Sequence, residues 1–224
     1  LTNNLIKKQN LLVFDIDGTL TDTVLPHQKA FVQALQQIGV QQIDTNFKSY
    51  KHHTDSFIAK EIFEKDTRQP FDSSTLLKFE QHLLNNLIQA LTFTEIAGAK
   101  DLLAWLEKET NYAICFATGS LLQPAIYKME QVGIPFIPSS LVASNQILER
   151  ENIVKAAIQA AKKRYQVNNF ERIISLGDGL WDLKTAQNLS LEFIGVGSKN
   201  KAILQKAGAK ICLDDFKNCR DLFF

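Results

Sequence analysis

The chain is poor in cysteine, in net charge and in long apolar runs, and each shortage removes a class of protein. It holds three cysteines in 224 residues, Cys115, Cys212 and Cys219. They form no CxxC pair and cannot all pair within the chain. A structural zinc site is therefore not expected, and a reducing, cytoplasmic compartment is. Formal net charge is +1, so no global field draws in nucleic acid or acidic lipid. No apolar run approaches the length of a membrane span. Residues 1–10 carry Lys7 and Lys8, but an acidic strand end follows at once, unlike a signal or transit sequence. Internal repeats and low-complexity tracts are also lacking. Apolar residues make up 45% and charged residues 22% of the chain, the balance of an ordinary globular protein with a proper core.

Strand-like apolar runs recur at Leu11–Phe14, Tyr112–Ala117, Ile173–Leu176 and Phe193–Val196, with shorter ones at Leu141–Ala143 and Lys210–Leu213. Helical spacing lies between most of them: Ala99 with Leu102, Leu103 and Leu106, then Leu121 to Val132, then Ile153, Val154, Ala157, Ile158 and Ala161. Such alternation predicts an α/β fold, a doubly wound parallel sheet with helices on both faces. Ligands on such sheets bind at the carboxyl ends of the strands.

From about Thr23 to Thr92 only helical patterns occur. Phe31, Leu35 and Ile38 form one stripe, and Phe57, Ile58, Ile62 and Phe63 a second. Leu76, Leu83, Leu84, Leu87, Ile88 and Leu91 form a third. Their apolar faces need one another, which predicts an inserted α-helical bundle. The expected division is a core of residues 1–21 and 93–224 and a helical cap of residues 22–92. The insertion leaves the sheet beside the acidic pair described next, where it is placed to act as a lid.

Four places put polar residues at the carboxyl end of an apolar strand. The first is Asp15-Ile16-Asp17-Gly18-Thr19-Leu20-Thr21-Asp22. Asp15 and Asp17 would point the same way on an extended backbone. Two like carboxylates held together need a cation or a proton to relieve them. The pair suits a Mg²⁺ site, and equally a nucleophilic aspartate with an acid/base partner. The second is Phe116-Ala117-Thr118-Gly119-Ser120, where a hydroxyl and the N–H groups of Gly119 and Ser120 at a helix start can bind a phosphate oxygen. The third is a cation between Arg150 and Lys155. The fourth is Gly177-Asp178-Gly179-Leu180-Trp181-Asp182, in which Asp178 can reach a metal and Asp182 lies one helical turn on.

In order and spacing these elements resemble the haloacid dehalogenase superfamily of phosphohydrolases: its DxDGT signature, its strand ending in Thr or Ser, and its GDxxxD signature, with room for the helical cap of the C1 subclass. The resemblance covers nearly the whole chain. It implies that Asp15 attacks the phosphoryl group and that Asp17 protonates the leaving alkoxide and then deprotonates water. It further implies Mg²⁺ held by the Asp15 carboxylate, the Asp17 backbone carbonyl and Asp178. Thr118 would orient the phosphoryl, and Asp182 would position a metal-bound water or the motif-three cation. That cation is usually a Lys, often before a Pro. Here no Pro follows; Arg150 falls at the expected helix start and is preferred to Lys155, which lies about one turn further in. Arg is the better fork for phosphate oxygens.

Lys51 and His53, in a loop that looks into the active site of many C1-cap phosphatases, are candidate substrate contacts. The competing reading there is an N-cap by Thr54 or Asp55 with exposed histidines. His27 and His82 read as surface residues, and Trp181 and Gly179 as packing and turn residues. The expected activity is a Mg²⁺-dependent phosphatase acting on a small phosphorylated metabolite, with no nucleic acid or membrane partner and a monomeric or weakly homodimeric state. Phosphoglycolate phosphatases give the nearest general resemblance. A sugar phosphomutase of the β-phosphoglucomutase type is the rival within the family. A phospho-acceptor domain and a non-catalytic binding protein are the rivals outside it.

Overall fold

The computed structural model describes residues 6–90 and 92–223. Six strands form one parallel sheet in the order β3-β2-β1-β4-β5-β6. They are β1 (Asn10–Phe14), β2 (Tyr112–Ala117), β3 (Leu141–Val142), β4 (Arg172–Gly177), β5 (Glu192–Val196) and β6 (Ile211–Leu213). All six match the apolar runs read from the sequence to within two residues at each end. β1 is central and reads as unbroken apolar sequence because both its faces are covered. Leu12 and Phe14 join one buried cluster and Leu11 and Val13 another. α4 (Ala99–Glu109) and α5 (Leu122–Gln131) pack into the first cluster, and α6 (Arg150–Tyr165) fills the second with Ile153, Val154, Ala157, Ile158 and Ala161.

Among the described residues, three α-helices occupy the segment between β1 and α4: α1 (Val24–Gln37), α2 (Asp55–Thr67) and α3 (Ser73–Ile88). α1 and α3 meet through Phe31 and Phe79, whose ring centroids lie 5.0 Å apart edge to face. Leu83 and Leu87 are buried as the spacing predicts, whereas Ile88 is 52% exposed. Adjacent helical residues project about 100° apart, so the residue after Leu87 turns away from the shared face. Leu91, the last of that stripe, lies outside the described residues. The outgoing and returning chains are tied together at the sheet: Asp22 N–H donates to Thr94 O (2.9 Å) and Ile96 N–H to Leu20 O (2.9 Å).

Two further helices complete the fold, α7 (Leu180–Asn188) and the short α8 (Lys201–Lys206). Leu183 and Leu204 pack together beside β5 and β6. Phe14 pairs in register with Phe116 on one side and Leu176 on the other. That register brings Asp15, Thr118 and Asp178 to the same edge of three adjacent strands. Among the described residues no helix is long and apolar enough to cross a membrane. The three cysteines are free thiols.

Candidate active site

A cavity of about 530 Å³ opens at this edge, lined by Asp15, Asp17, Thr118, Arg150 and Asp178 and roofed by residues of α1 and α2. Asp15 follows the last residue of β1, and its N–H donates to Leu176 O at 3.0 Å. One carboxylate oxygen accepts from Arg150 Nη2 (2.5 Å) and the other from Thr19 Oγ1 (3.2 Å). Arg150 is the first residue of α6 and is buried; its Nε donates to Asp182 Oδ1 at 2.8 Å. A single guanidinium thus spans two carboxylates, one just past β1 and one in the first turn of the helix Leu180–Asn188, using its fixed fork of donors. Gly119 makes room for it, because a Cβ there would lie 2.7 Å from Arg150 Nη1. Lys155, further along α6, is exposed and does not line the cavity.

Asp15, Asp178 and Asp182 each bring a carboxylate oxygen within 4.8 Å of the others. Burial pushes the Asp15 carboxyl up to about 7; Arg150 opposes the rise, while Asp182 and Asp17 add to it. Asp178 is pushed well above the usual carboxylate range by burial and by its neighbours Asp182 and Asp15. Its Oδ1 is buried without a hydrogen-bond partner. A buried carboxylate oxygen left unsatisfied beside a second carboxylate is the donor set a hard divalent cation takes. The residues therefore fit Mg²⁺, with Asp15 and Asp178 as the side chains best placed to hold it. The oxygens of Asp15 and of Asp182 already accept hydrogen bonds, from Arg150 and Thr19 and from Arg150 and the Gly179 N–H (3.1 Å), which leaves Asp178 as the one of the three with a buried oxygen that accepts none. Gly18, at φ +80°, is required at the turn: besides the strain, a Cβ there would collide with the Asp178 carboxylate.

Asp17 departs from the expected geometry. β1 ends at Phe14, so no extended backbone aligns the two aspartates. The Asp17 carboxylate turns to its own cation, Lys128 Nζ on α5, at 2.7 and 2.5 Å, and also accepts from Thr23 Oγ1 at 2.5 Å. Burial raises its pKa, but Lys128, with help from His27, outweighs that and holds it at about 2. Its carboxylate is not among the three that cluster; only its backbone carbonyl is left as an expected metal ligand.

Thr118 is buried beside Asp15, and its backbone N–H donates to Val142 O at 3.0 Å. The expected helix start is displaced. α5 begins at Leu122, and the Ser120 N–H is taken by Thr118 Oγ1 at 3.0 Å. Ser120 therefore offers the cavity its hydroxyl rather than its N–H, and that hydroxyl accepts from Lys128 Nζ at 3.1 Å. Gly119 O accepts from Asp55 N–H at 2.7 Å, docking the start of α2 on the core.

His53 lines the cavity and stacks on Trp181, with centroids 4.6 Å apart and planes 23° from parallel. Burial, then the charge of Arg150, pull its pKa down to about 4, so it is neutral at pH 7. Lys51 is exposed and outside the cavity lining, where Lys48 and Lys199 stand instead. Thr54 does take the N-cap position of α2, but its hydroxyl donates to Leu148 O (2.7 Å) rather than capping the helix.

The reading of His27 as a surface residue is overturned. It is 9% exposed, with Nε2 2.9 Å from Asp55 Oδ1 and Nδ1 3.2 Å from Lys128 Nζ. Asp55 also accepts from Leu121 N–H at 3.1 Å. Sequence reasoning missed Lys128 and Asp55 and assigned Trp181 only to packing. A signal existed for Lys128: it stands in the apolar stripe Leu121, Ala125, Val132 at helical spacing.

These features define an α/β enzyme whose acidic site sits at the carboxyl edge of a parallel sheet, beneath a helical insertion. The chain belongs to the haloacid dehalogenase-like hydrolases, whose family model matches residues 9–189. No curated protein matches it. Among solved structures it is similar to CbbY from Rhodobacter sphaeroides in complex with phosphate, at 19% identity over 93% of this chain and 95% of that one, with a TM-score of 0.70. A predicted phosphoglycolate phosphatase from Haemophilus somnus shows 16% identity over 98% and 99% of the two chains, with a TM-score of 0.64. A putative β-phosphoglucomutase from Bacteroides vulgatus shows 14% identity over 97% and 89%, with a TM-score of 0.70. At these identities the likeness is one of fold.

Proposed function

We propose that this hydrolase is a Mg²⁺-dependent phosphatase that cleaves a small phosphomonoester through an aspartyl-phosphate on Asp15. The observation that carries the reading is the Asp15 carboxylate, buried at the cavity floor, gripped by Arg150, and beside the unpartnered oxygen of Asp178. The Asp15 oxygen attacks phosphorus and the bond from phosphorus to the ester oxygen breaks; Asp17, ionised at rest beside Lys128, has to enter this step protonated to supply the proton that the leaving alkoxide needs. Water then attacks phosphorus, Asp17 takes its proton, and Asp15 and inorganic phosphate are regenerated. Arg150 and the Thr118 hydroxyl supply fixed donors to the equatorial oxygens of the transferring group. Asp15, Asp178 and the Asp17 carbonyl would hold Mg²⁺, with Asp182 acting through Arg150. The bound ion supplies positive charge against the phosphate oxygens.

Residues 22–92 serve in this reading as a cap that excludes water and sets specificity, with His53 and Trp181 as candidate contacts for the substrate's organic part. The test is a panel of phosphorylated metabolites with Mg²⁺, scored for inorganic phosphate. The panel includes 2-phosphoglycolate, β-glucose 1-phosphate, xylulose 1,5-bisphosphate and glycerol 3-phosphate. Phosphate release from at least one, without a bisphosphate activator, is expected. No release from any would contradict the proposal.

A further inference from the structure

Lys128 is a lysine with 0% exposure on the apolar face of a helix, and nothing in the reaction as described above uses it. Burying an ammonium carries a desolvation penalty that its partner rarely more than offsets, and an apolar pair in place of both charges would serve stability as well. Its contacts are therefore informative. An ammonium has three N–H donors. Lys128 Nζ faces the Asp17 carboxylate (2.7 and 2.5 Å), Ser120 Oγ (3.1 Å) and His27 Nδ1 (3.2 Å), one acceptor for each donor. The other ring nitrogen of His27, Nε2, faces Asp55 Oδ1. Asp55 in turn accepts from Leu121 N–H just before α5. The chain of contacts runs from α5 through α1 and α2 and back to the start of α5; Asp17, Ser120, His27 and Asp55 line the cavity and Lys128 stands behind them.

We propose that Lys128 is a positioning residue for Asp17: its ammonium, held from behind by His27 and Ser120, fixes where the acid/base carboxylate stands relative to the leaving oxygen. The inference rests on the phosphatase reading and on Asp17 as its proton carrier. Thr23, which donates to the same Asp17 oxygen, completes the socket from the hinge side. The other buried cation of the site, Arg150, grips Asp15 and Asp182 instead.

The consequence is a dependence on the leaving group. A good leaving group departs without a proton; an alkoxide does not. Burst rates of leaving-group release are measured for p-nitrophenyl phosphate and for the fastest alkyl monophosphate of the panel above. In Lys128→Met the alkyl ester should slow by about 10²-fold, the lower range of a general acid's contribution. The p-nitrophenyl ester should slow less than about threefold in the same comparison. Equal slowing of both esters, the mark of a merely structural residue, would overturn the proposal, as would an unchanged alkyl rate.

Lys128→Met leaves Asp17 as an uncompensated buried charge and can fail to fold. The double variant Asp17→Asn with Lys128→Met removes both charges and avoids that. If Lys128 acts through Asp17, the double variant should match Asp17→Asn alone on the alkyl ester. A further loss of about tenfold in the double variant would show that Lys128 acts by itself, against the proposal. Wild-type turnover of both esters separates the two readings: an inactive wild type overturns the phosphatase reading and this inference together, whereas an active wild type whose Lys128→Met variant slows both esters alike overturns this inference alone.

Discussion

Arg150 and Lys128 are both buried cations at one cavity, and each holds one of the two aspartates after β1, yet they are built differently. Arg150 is rooted in the α/β core and stays within it, linking the end of β1 to the first turn of α7 through Asp15 and Asp182. Lys128 is also rooted in the core but is clasped by the helical insertion, through His27 of α1 and, behind it, Asp55 of α2. The Asp15 side is tied together within the core, from the end of β1 to α6 and α7. The Asp17 side depends on how the insertion sits on the sheet. A reaction that needs a fixed nucleophile and a proton carrier responsive to substrate would divide its supports in this way.

The comparison breaks most severely if Arg150 proves dispensable. Arg150→Ala should lower kcat by about 10²-fold, the usual cost of removing a donor to a developing charge. A loss below about threefold in kcat/KM assays would remove Arg150 from the phosphoryl site.

A smaller effect distinguishes the two aspartates by pH. Asp15 and Asp178 have folded-state pKa values raised above the unfolded value. The native state therefore holds protons there that the unfolded chain has released, and stability falls as pH climbs from about 4 through about 7. Asp17 has the opposite sign. Its pKa is held at about 2, so its contribution is complete above about pH 4 and is constant in the window of interest. Metal-free protein should thus melt several degrees lower at pH 8 than at pH 5. Mg²⁺ should raise the melting temperature more at pH 8, where the carboxylates it binds are bare. A melting temperature that is flat with pH, or a larger Mg²⁺ effect at pH 5, would contradict the crowding of these carboxylates. The smallest expected effect sharpens the contrast within α6. Lys155→Ala should leave kcat and KM unchanged within about twofold, as an exposed substitution away from the site does.

The two cations also differ in how far the sequence could reveal them. Arg150 was legible because it stands at a helix start within an ordered series of strand-end motifs, where position along the chain nearly dictates position in space. The strands were legible for a related reason: a parallel strand buried on both faces must be written as a continuous apolar run. Lys128 was not legible in this way. Its partner Asp17 lies 111 residues away, and lysine on a helix ordinarily marks solvent, so its place in an apolar stripe carried a signal that outvoted nothing. His27 was misread for the same reason, since a histidine's surroundings come from α2 and α5 rather than from its own neighbours. The direction of the Asp17 carboxylate was hidden as well. It follows from the end of β1 and the positive φ of Gly18, and extended-strand periodicity does not apply beyond the last paired residue.

The most direct test of the account is mass spectrometry of the acid-quenched reaction after mixing enzyme, Mg²⁺ and a turned-over phosphomonoester on the millisecond scale. A phosphoryl group on the peptide containing Asp15, lost at later times and absent in Asp15→Asn, is the predicted result. Full-rate phosphate release with that peptide unmodified, or with Asp15→Asn still turning over like the wild type, would contradict it.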